Sequence, residues 1–398
     1  MFYYPVTSPA SPLHIESSSW GLKGRAMQTR LHLQWRDEQP RRRFRCAVSL
    51  HSHTHHSRES LAFLYKLAAR SGFIHWAIEF GQRRTAAALD FGRGWWTPPL
   101  VPRAAWELER RHIECNLGME ALVSLTDHDS IAGPLSLRAL DGFGQAPLSV
   151  EWTVPFGNTF FHLGIHNLPS AVAREAMVAM ADYTACPEQE ALAGLLDWFH
   201  EMPETLVVLN HPLWDENAIG SRQHCRVLQE FLQRHGETIH AFEWNGLRPW
   251  AENRSVLEMG RMHDKPVVSG GDRHGFEPNA VLNLTRASSF AEFVEEIRLH
   301  RRSEIFLTMH CRRPLHWRMF DTLLDVLGDY GEHGQGWTRW DDRIFYLCDD
   351  GLARSLREIW KGRPPEPVWT FTALARTLQN SRAQRIWGAA VASQGRLV

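Results

Sequence analysis

The sequence predicts an α/β fold, a barrel of strands alternating with helices, on three observations. Short apolar runs of strand length recur along the chain. Amphipathic stretches at helical spacing lie between several of them. Histidine, aspartate and glutamate stand repeatedly just past the strand ends. In a parallel barrel all strand carboxyl ends meet on one face, so such residues would gather there without being neighbours in sequence.

Taken in order, residues 1–43 are polar and irregular and read as a lead-in, with an alternating edge strand at 30–35. A buried strand over 44–50 follows, then a helix over 59–71 that Gly72 ends. Gly92, Gly94, Pro98 and Pro99 make 73–102 a long loop. A helix over 103–118 leads to strands at 121–125, 147–154 and 159–165. Beyond them the expected order is helix 187–202, strand 205–209, helix 222–235, strand 239–244, helix 251–263 and strand 266–269. Residues 44–300 thus form one unit. The stretch 301–398, with helices at 315–328, 352–361 and 371–379 and a short strand at 343–348, is a mixed, largely helical C-terminal extension of unassigned role.

Composition narrows the setting. A net charge of -1 gives no global basic field for nucleic acid, and 43% hydrophobic residues support a real core. Only Lys23, Lys66, Lys265 and Lys361 are lysines, so arginine carries nearly all the positive charge. The six cysteines form no C-x-x-C pair, which argues against a thiolate zinc site and a disulfide scaffold. No signal-peptide pattern or membrane-length apolar run appears, so a cytoplasmic, membrane-free setting is expected; oligomeric state is not legible.

The chemistry starts at His51-Ser52-His53. Residues at i and i+2 of an extended segment point the same way, so both imidazoles can converge on one cation. With 22 histidines in the chain, that pair alone carries little weight. Further on come Asp127-His128-Asp129, Glu151 and His162 within apolar strands, His211 before Pro212, and Asp272-Arg273-His274 after two glycines. A buried carboxylate such as Glu151 needs a cation or an arginine beside it.

This ordered set, H-S-H-T, T-D-H-D-S, a strand Glu, a strand His, N-H-P and G-D-R-H, resembles the PHP (polymerase and histidinol phosphatase) superfamily over about 44–300. The resemblance implies a distorted seven-stranded (β/α) barrel holding two or three divalent ions (Mn, Zn or Fe) at its carboxyl face. His51, His53, Glu151 and Asp272 would hold the first ion. Glu151, bridging, with His162 and His211 would hold the second, and His128 and His274 the third. Family members often place an Asp or His five or six residues after the second His of the first motif. Here those positions are Arg58 and Glu59, and only Glu59 can be a ligand.

The function this implies is a hydrolase, a metal-dependent phosphoesterase acting on a small phosphorylated metabolite or nucleotide. Two bridged cations lower the pKa of a water from about 15.7 toward 7. Asp272 would orient that water, and His274 or His128 would protonate the departing oxygen. Arg273, with Arg58, would clamp a phosphate, while Asp127 and Asp129 would fix imidazole tautomers. His55 and His56 read as spare imidazoles, solvated or standing behind the ligands and not ligands themselves. Two alternatives stand beside this reading: a nuclease, for which the 17 tryptophans can supply stacking, and a non-catalytic regulatory module of PHP type, favoured by Arg58.

Overall fold

Strand and helix alternate along most of the chain, giving a mixed α/β fold with three sheets among the described residues. The structure, a computed structural model, describes residues 28–36, 40–62, 91–331, 333, 335–366, 368–370 and 372–373. Most of the expected 59–71 and 371–379 helices, the early part of the 73–102 loop and the first part of the lead-in lie outside them.

The first sheet runs β1-β12-β11-β2-β5, with β1 at Gln28–Leu33, β2 at Cys46–Ser49, β5 at Glu120–Val123, β11 at Val281–Thr285 and β12 at Arg302–Leu307. The second runs β10-β9-β8-β7-β6, with β6 at Val150–Phe156, β7 at Thr159–His166, β8 at Leu206–Asn210, β9 at Ala241–Asn245 and β10 at Val267–Gly270. Every residue of β2, β8, β9, β10 and β11 is buried, which suits their near-continuous apolar runs. Strands β8, β9 and β10 are mutually parallel, but β7 is antiparallel to both its neighbours. The expected all-parallel order fails there because only Gly157 and Asn158 join β6 to β7. So short a link makes a hairpin and leaves no room for a crossover.

Two isolated parallel bridges tie the sheets together beyond their strand tips. One pairs Ser52 with Arg273, the other His128 with Glu151. Around them Gly271 N donates to Leu50 O at 3.0 Å and Asp272 N to His51 O at 2.7 Å. Asp129 N donates to Glu151 O at 2.9 Å and Glu151 N to Asp127 O at 3.2 Å. The candidate ligands therefore sit where the two sheets meet.

Helices α1 (Pro102–Arg111), α2 (Ala132–Arg138), α3 (Ala173–Ala185), α4 (Gln189–Glu201), α5 (Ser221–His235), α6 (Trp250–Met262) and α7 (Phe290–Arg298) flank these sheets. After α1 the chain continues as a π-helical stretch, His112–Leu117, and stops at Gly118, whose φ of 65° is the usual left-handed helix end. The largest apolar cluster joins the second sheet to helices α3 to α6 through Trp152, Leu163, Phe199, Phe231 and Phe242, all buried. Each such side chain contributes about 1.5–3 kcal/mol on burial.

The third sheet runs β14-β13-β4-β3, with β3 at Glu59–Ser60, β4 at Gly94–Trp96, β13 at Ile344–Leu347 and β14 at Ala353–Ser355. Glu59 and Ser60 pair with Trp96 and Trp95, so they form a strand instead of beginning a helix. Helices α8 (Leu315–Val326) and α9 (Leu356–Ile359) complete this region; the helix expected over 352–361 is shortened because Ala353–Ser355 pairs with β13. No described helix is long and apolar enough to cross a membrane, and all six cysteines are free.

At the tip of β10 a Cβ on Gly271 would lie 1.7 Å from Asn279 Oδ1. Asn279 cannot yield, since its Nδ2 donates to Ser49 Oγ, Leu50 O and Ser52 Oγ. Gly271→Ala is expected to destabilise by at least about 1–3 kcal/mol, read as a lower urea midpoint. An unchanged midpoint would contradict this packing.

Candidate metal centre

Three ligand positions leave extended geometry as their strands end. His51 has φ 63°, Asp272 φ 57° and His211 φ 27°, a region that non-glycine residues occupy only when their surroundings impose it. The turn at His51 breaks the i, i+2 alternation expected of 51–53, yet the rings still converge, with centroids 5.0 Å apart.

Glu151, fully buried, is the hub. Its Oε2 lies 2.9 Å from His51 Nε2, 3.3 Å from His53 Nε2 and 3.4 Å from His128 Nε2. Its Oε1 lies 3.1 Å from His211 Nε2 and 3.5 Å from His162 Nδ1, and accepts from Asn210 Nδ2 at 3.0 Å. Asp272 Oδ1 faces His51 Nε2 at 3.5 Å, His53 Nε2 at 3.4 Å and His274 Nδ1 at 3.5 Å. Glu59 Oε2 meets His128 at 3.3 Å and His274 at 3.2 Å. All nine expected metal ligands are thus brought into one cluster.

The rear nitrogens decide what the front ones can do. His51 Nδ1 donates to Glu243 Oε1 at 2.5 Å, and His274 Nδ1 donates to Asp272 O at 2.8 Å. Ser57 Oγ donates to Glu59 Oε1 at 2.6 Å and therefore accepts from His53 Nδ1 at 3.2 Å. In the neutral ring the opposite nitrogen then carries a lone pair aimed at carboxylate oxygens. Lone pair against lone pair at this range is repulsive, and a cation between them removes the conflict. His53 Nε2, buried without a hydrogen-bond partner, is the clearest case. Ligands about 2.0–2.2 Å from one cation stand roughly 3.0–3.5 Å apart, close to most of these separations.

Electrostatics show the same demand for positive charge beside these carboxylates, met at His51 by a proton and left unmet at His53. Burial opposes charge on His51, but Glu151, Glu243 and Asp272 outweigh it and raise its pKa well above the ordinary imidazole value. Burial likewise opposes charge on Glu151, yet His51, His128 and His162 hold it well below the ordinary carboxylate value. Burial pushes His53 down to about 4, with His274 adding to the effect. Among the described residues, four sets of side chains place their ligand atoms within 4.8 Å of one another: His53, Glu59, His128 and His274; His51, His53 and Glu151; His51, His211 and Asp272; and His128, Glu151 and His162. The residues fit divalent cations in donor type and spacing.

The arginines are placed otherwise than expected. Arg273, only 4% exposed, turns away from the cluster and pairs with Glu109 at 2.8 Å, so it is no phosphate clamp. With Asp272 and His274 packed into the cage on either side, its side chain is left facing the interior. Arg58 is exposed and lies over the Trp95 ring, 5.4 Å from its centroid. Asp127 and Asp129 hold backbone instead of imidazole: Asp127 accepts from Thr54 N and Oγ1, Asp129 from Thr153 N. His55 is not solvated but buried beside His56, His333 and Trp337.

Sequence reading passed over Glu243, Asn245 and Ser57. Glu243 Oε2 accepts from His211 N and from Asn245 Nδ2, so one carboxylate orients His51 and pins the His211 backbone. The available signal was a Glu within an apolar strand, as at Glu151.

No family model matches the chain, and no curated protein does. Eleven chains of solved structures match. An amidohydrolase from Chromobacterium violaceum is 14% identical, covering 57% of this chain and 87% of its own, with a TM-score of 0.33. PsfC from Pseudomonas syringae is 12% identical, covering 70% and 98%, with a TM-score of 0.41. A protein from Bifidobacterium adolescentis described as a candidate metal-dependent phosphoesterase is 15% identical, covering 65% and 96%, with a TM-score of 0.33. Likeness at this level carries no inference about chemistry, which rests on the side chains above.

Glu151→Ala is expected to remove most bound divalent metal after dialysis, whereas Glu59→Ala loses about one ion, as measured by elemental analysis. Glu243→Gln, which keeps the shape but weakens the hold on His51, should lower metal affinity about 10–100-fold in a chelator competition.

Proposed function

We propose that this chain is a metal-dependent phosphoesterase of PHP type. The observation that carries the reading is the set of imidazoles tied from behind by Glu243, Ser57 and the Asp272 carbonyl, their free nitrogens facing shared carboxylates. Bound there, two or three divalent ions would activate water and neutralise phosphoryl oxygens. In this reading β2 and β5 to β10 are the seven staves of one barrel, sewn by the two bridges. Residues 44–300 are its metallohydrolase unit, and the C-terminal extension joins it through β12 of the first sheet and through the sheet that carries Glu59.

The chain's own groups then divide the work. Asp272 is buried, which disfavours its charge, but His51, His53 and His274 keep it ionised well below the ordinary carboxylate range. With Oδ2 accepting from Asn245 at 3.2 Å, its Oδ1 stays aimed into the cage to orient a water. His128 and His274, whose side chains are 14% and 13% exposed, are the most open members, placed to pass a proton to the departing oxygen. Glu59 supports the catalytic reading over the regulatory one, since it supplies the carboxylate that Arg58 does not. A small phosphorylated molecule in a cytoplasmic setting remains the proposed substrate class, because a net charge of -1 gives no global basic field for a nucleic acid.

The test is a panel of phosphate monoesters with purified protein. Hydrolysis should fall at least about 100-fold after stripping with a chelator and return with Mn, Zn or Fe. The His211→Ala, Asp272→Ala double variant should stay inactive at any metal concentration. Turnover that survives stripping would sink the proposal.

A further inference from the structure

Arg273 stands between two cage residues in sequence, yet its guanidinium is spent on the far side of the backbone. Nε donates to Glu109 Oε1 at 2.8 Å, one terminal nitrogen to Gly275 O at 3.0 Å, and the other to His53 O at 3.3 Å. One side chain therefore grips both ligand loops, the one carrying His51 and His53 and the one carrying Asp272 and His274.

Glu109 anchors that grip from helix α1, remote in sequence from both loops. It is fully buried and accepts from Ser49 Oγ at 3.1 Å and from Asn279 N at 3.1 and 3.2 Å. Asn279 in turn holds Ser49, Leu50 and Ser52. The groups held in this way, Leu50, Ser52, His53 and Gly275, flank the residues at unusual φ, His51 and Asp272, where the two loops meet at the Ser52–Arg273 bridge. A dehydrated ion pair is weak evidence of a stabilising role, since well-packed apolar replacements are often neutral or better. Setting the spacing of neighbouring groups explains what such a replacement would lose.

We infer that Glu109 and Arg273 are a buried positioning pair whose task is to hold the His51–His53 and Asp272–His274 loops at cation-binding separation. This rests on the reading that the cage binds metal. The pair touches neither substrate nor ion; it acts through backbone carbonyls.

The experiment compares the full chain with three variants. Glu109→Leu, Arg273→Met removes both charges together; Arg273→Lys keeps the charge but not the three-way fork; Glu109→Gln keeps an acceptor for Arg273. Zn2+ and Mn2+ affinities are measured by chelator competition, and amide exchange of 50–55 and 271–275 is measured on the metal-free protein. The double variant and Arg273→Lys should bind metal about 10–100-fold more weakly and exchange those amides at least about tenfold faster. The double variant should keep its far-UV spectrum and a melting temperature within a few degrees of wild type. Glu109→Gln should recover most of the affinity. A folded double variant, or Arg273→Lys, with wild-type exchange and affinity overturns the inference. Should wild type bind no metal while exchange still rises in the variants, the metal reading falls and the positioning role stands.

Discussion

A carboxylate stripped of water among five imidazoles is the constraint from which the rest of this fold can be understood. Among the described residues Glu151 has no arginine or lysine as its counter-charge; its charge partners are His51, His53, His128, His162 and His211, at 2.9 to 3.5 Å. Leaving such a group ionised in the interior is costly unless positive charge is close at hand. Five separate segments, the tips or bodies of β2, β5, β6, β7 and β8, deliver these groups to one spot. That convergence does not need every strand to run the same way: β7, antiparallel to its neighbours, delivers His162 from its body, and the apolar packing behind the strands keeps the arrangement in place.

Much of this was legible in the chain itself. Buried strands announce themselves by apolar runs, so β2, β6, β8, β9 and β10 were found within a few residues. The candidate ligands were legible because they interrupt or end those runs, where only chemistry explains a histidine or glutamate. Elements β11 and β12 were missed: Val281–Thr285 and Arg302–Leu307 follow a change of pattern near 275 that resembles a loop. Direction of pairing was not legible either, since an apolar run reads the same whichever way its neighbour points. A two-residue turn between β6 and β7 was the clue to antiparallel pairing.

Side-chain orientation at the strand tips was the other blind spot. Arg273 looked like a substrate clamp because it lies between Asp272 and His274, but adjacent residues need not face the same space. Glu109 and Asn279 were equally hidden, for their partners lie far away in sequence. The third sheet shows the same effect at larger scale. Glu59 reads as the first turn of a helix until Trp96 and Ile344 are seen to register it as a strand. A side chain in the cage is thereby held, through β4, by a segment almost three hundred residues downstream.

The two bridges between the sheets have a mechanical consequence. Each seam is closed by one short bridge of a few backbone hydrogen bonds, and at the Ser52–Arg273 seam the imidazoles and carboxylates of the cage straddle it: His51 and His53 on one side, Asp272 and His274 on the other. Anything coordinated by both banks acts as a rivet, so loading the pocket and closing the shell become one event. The chemistry this protein performs and the shape that permits it would then share the same few atoms.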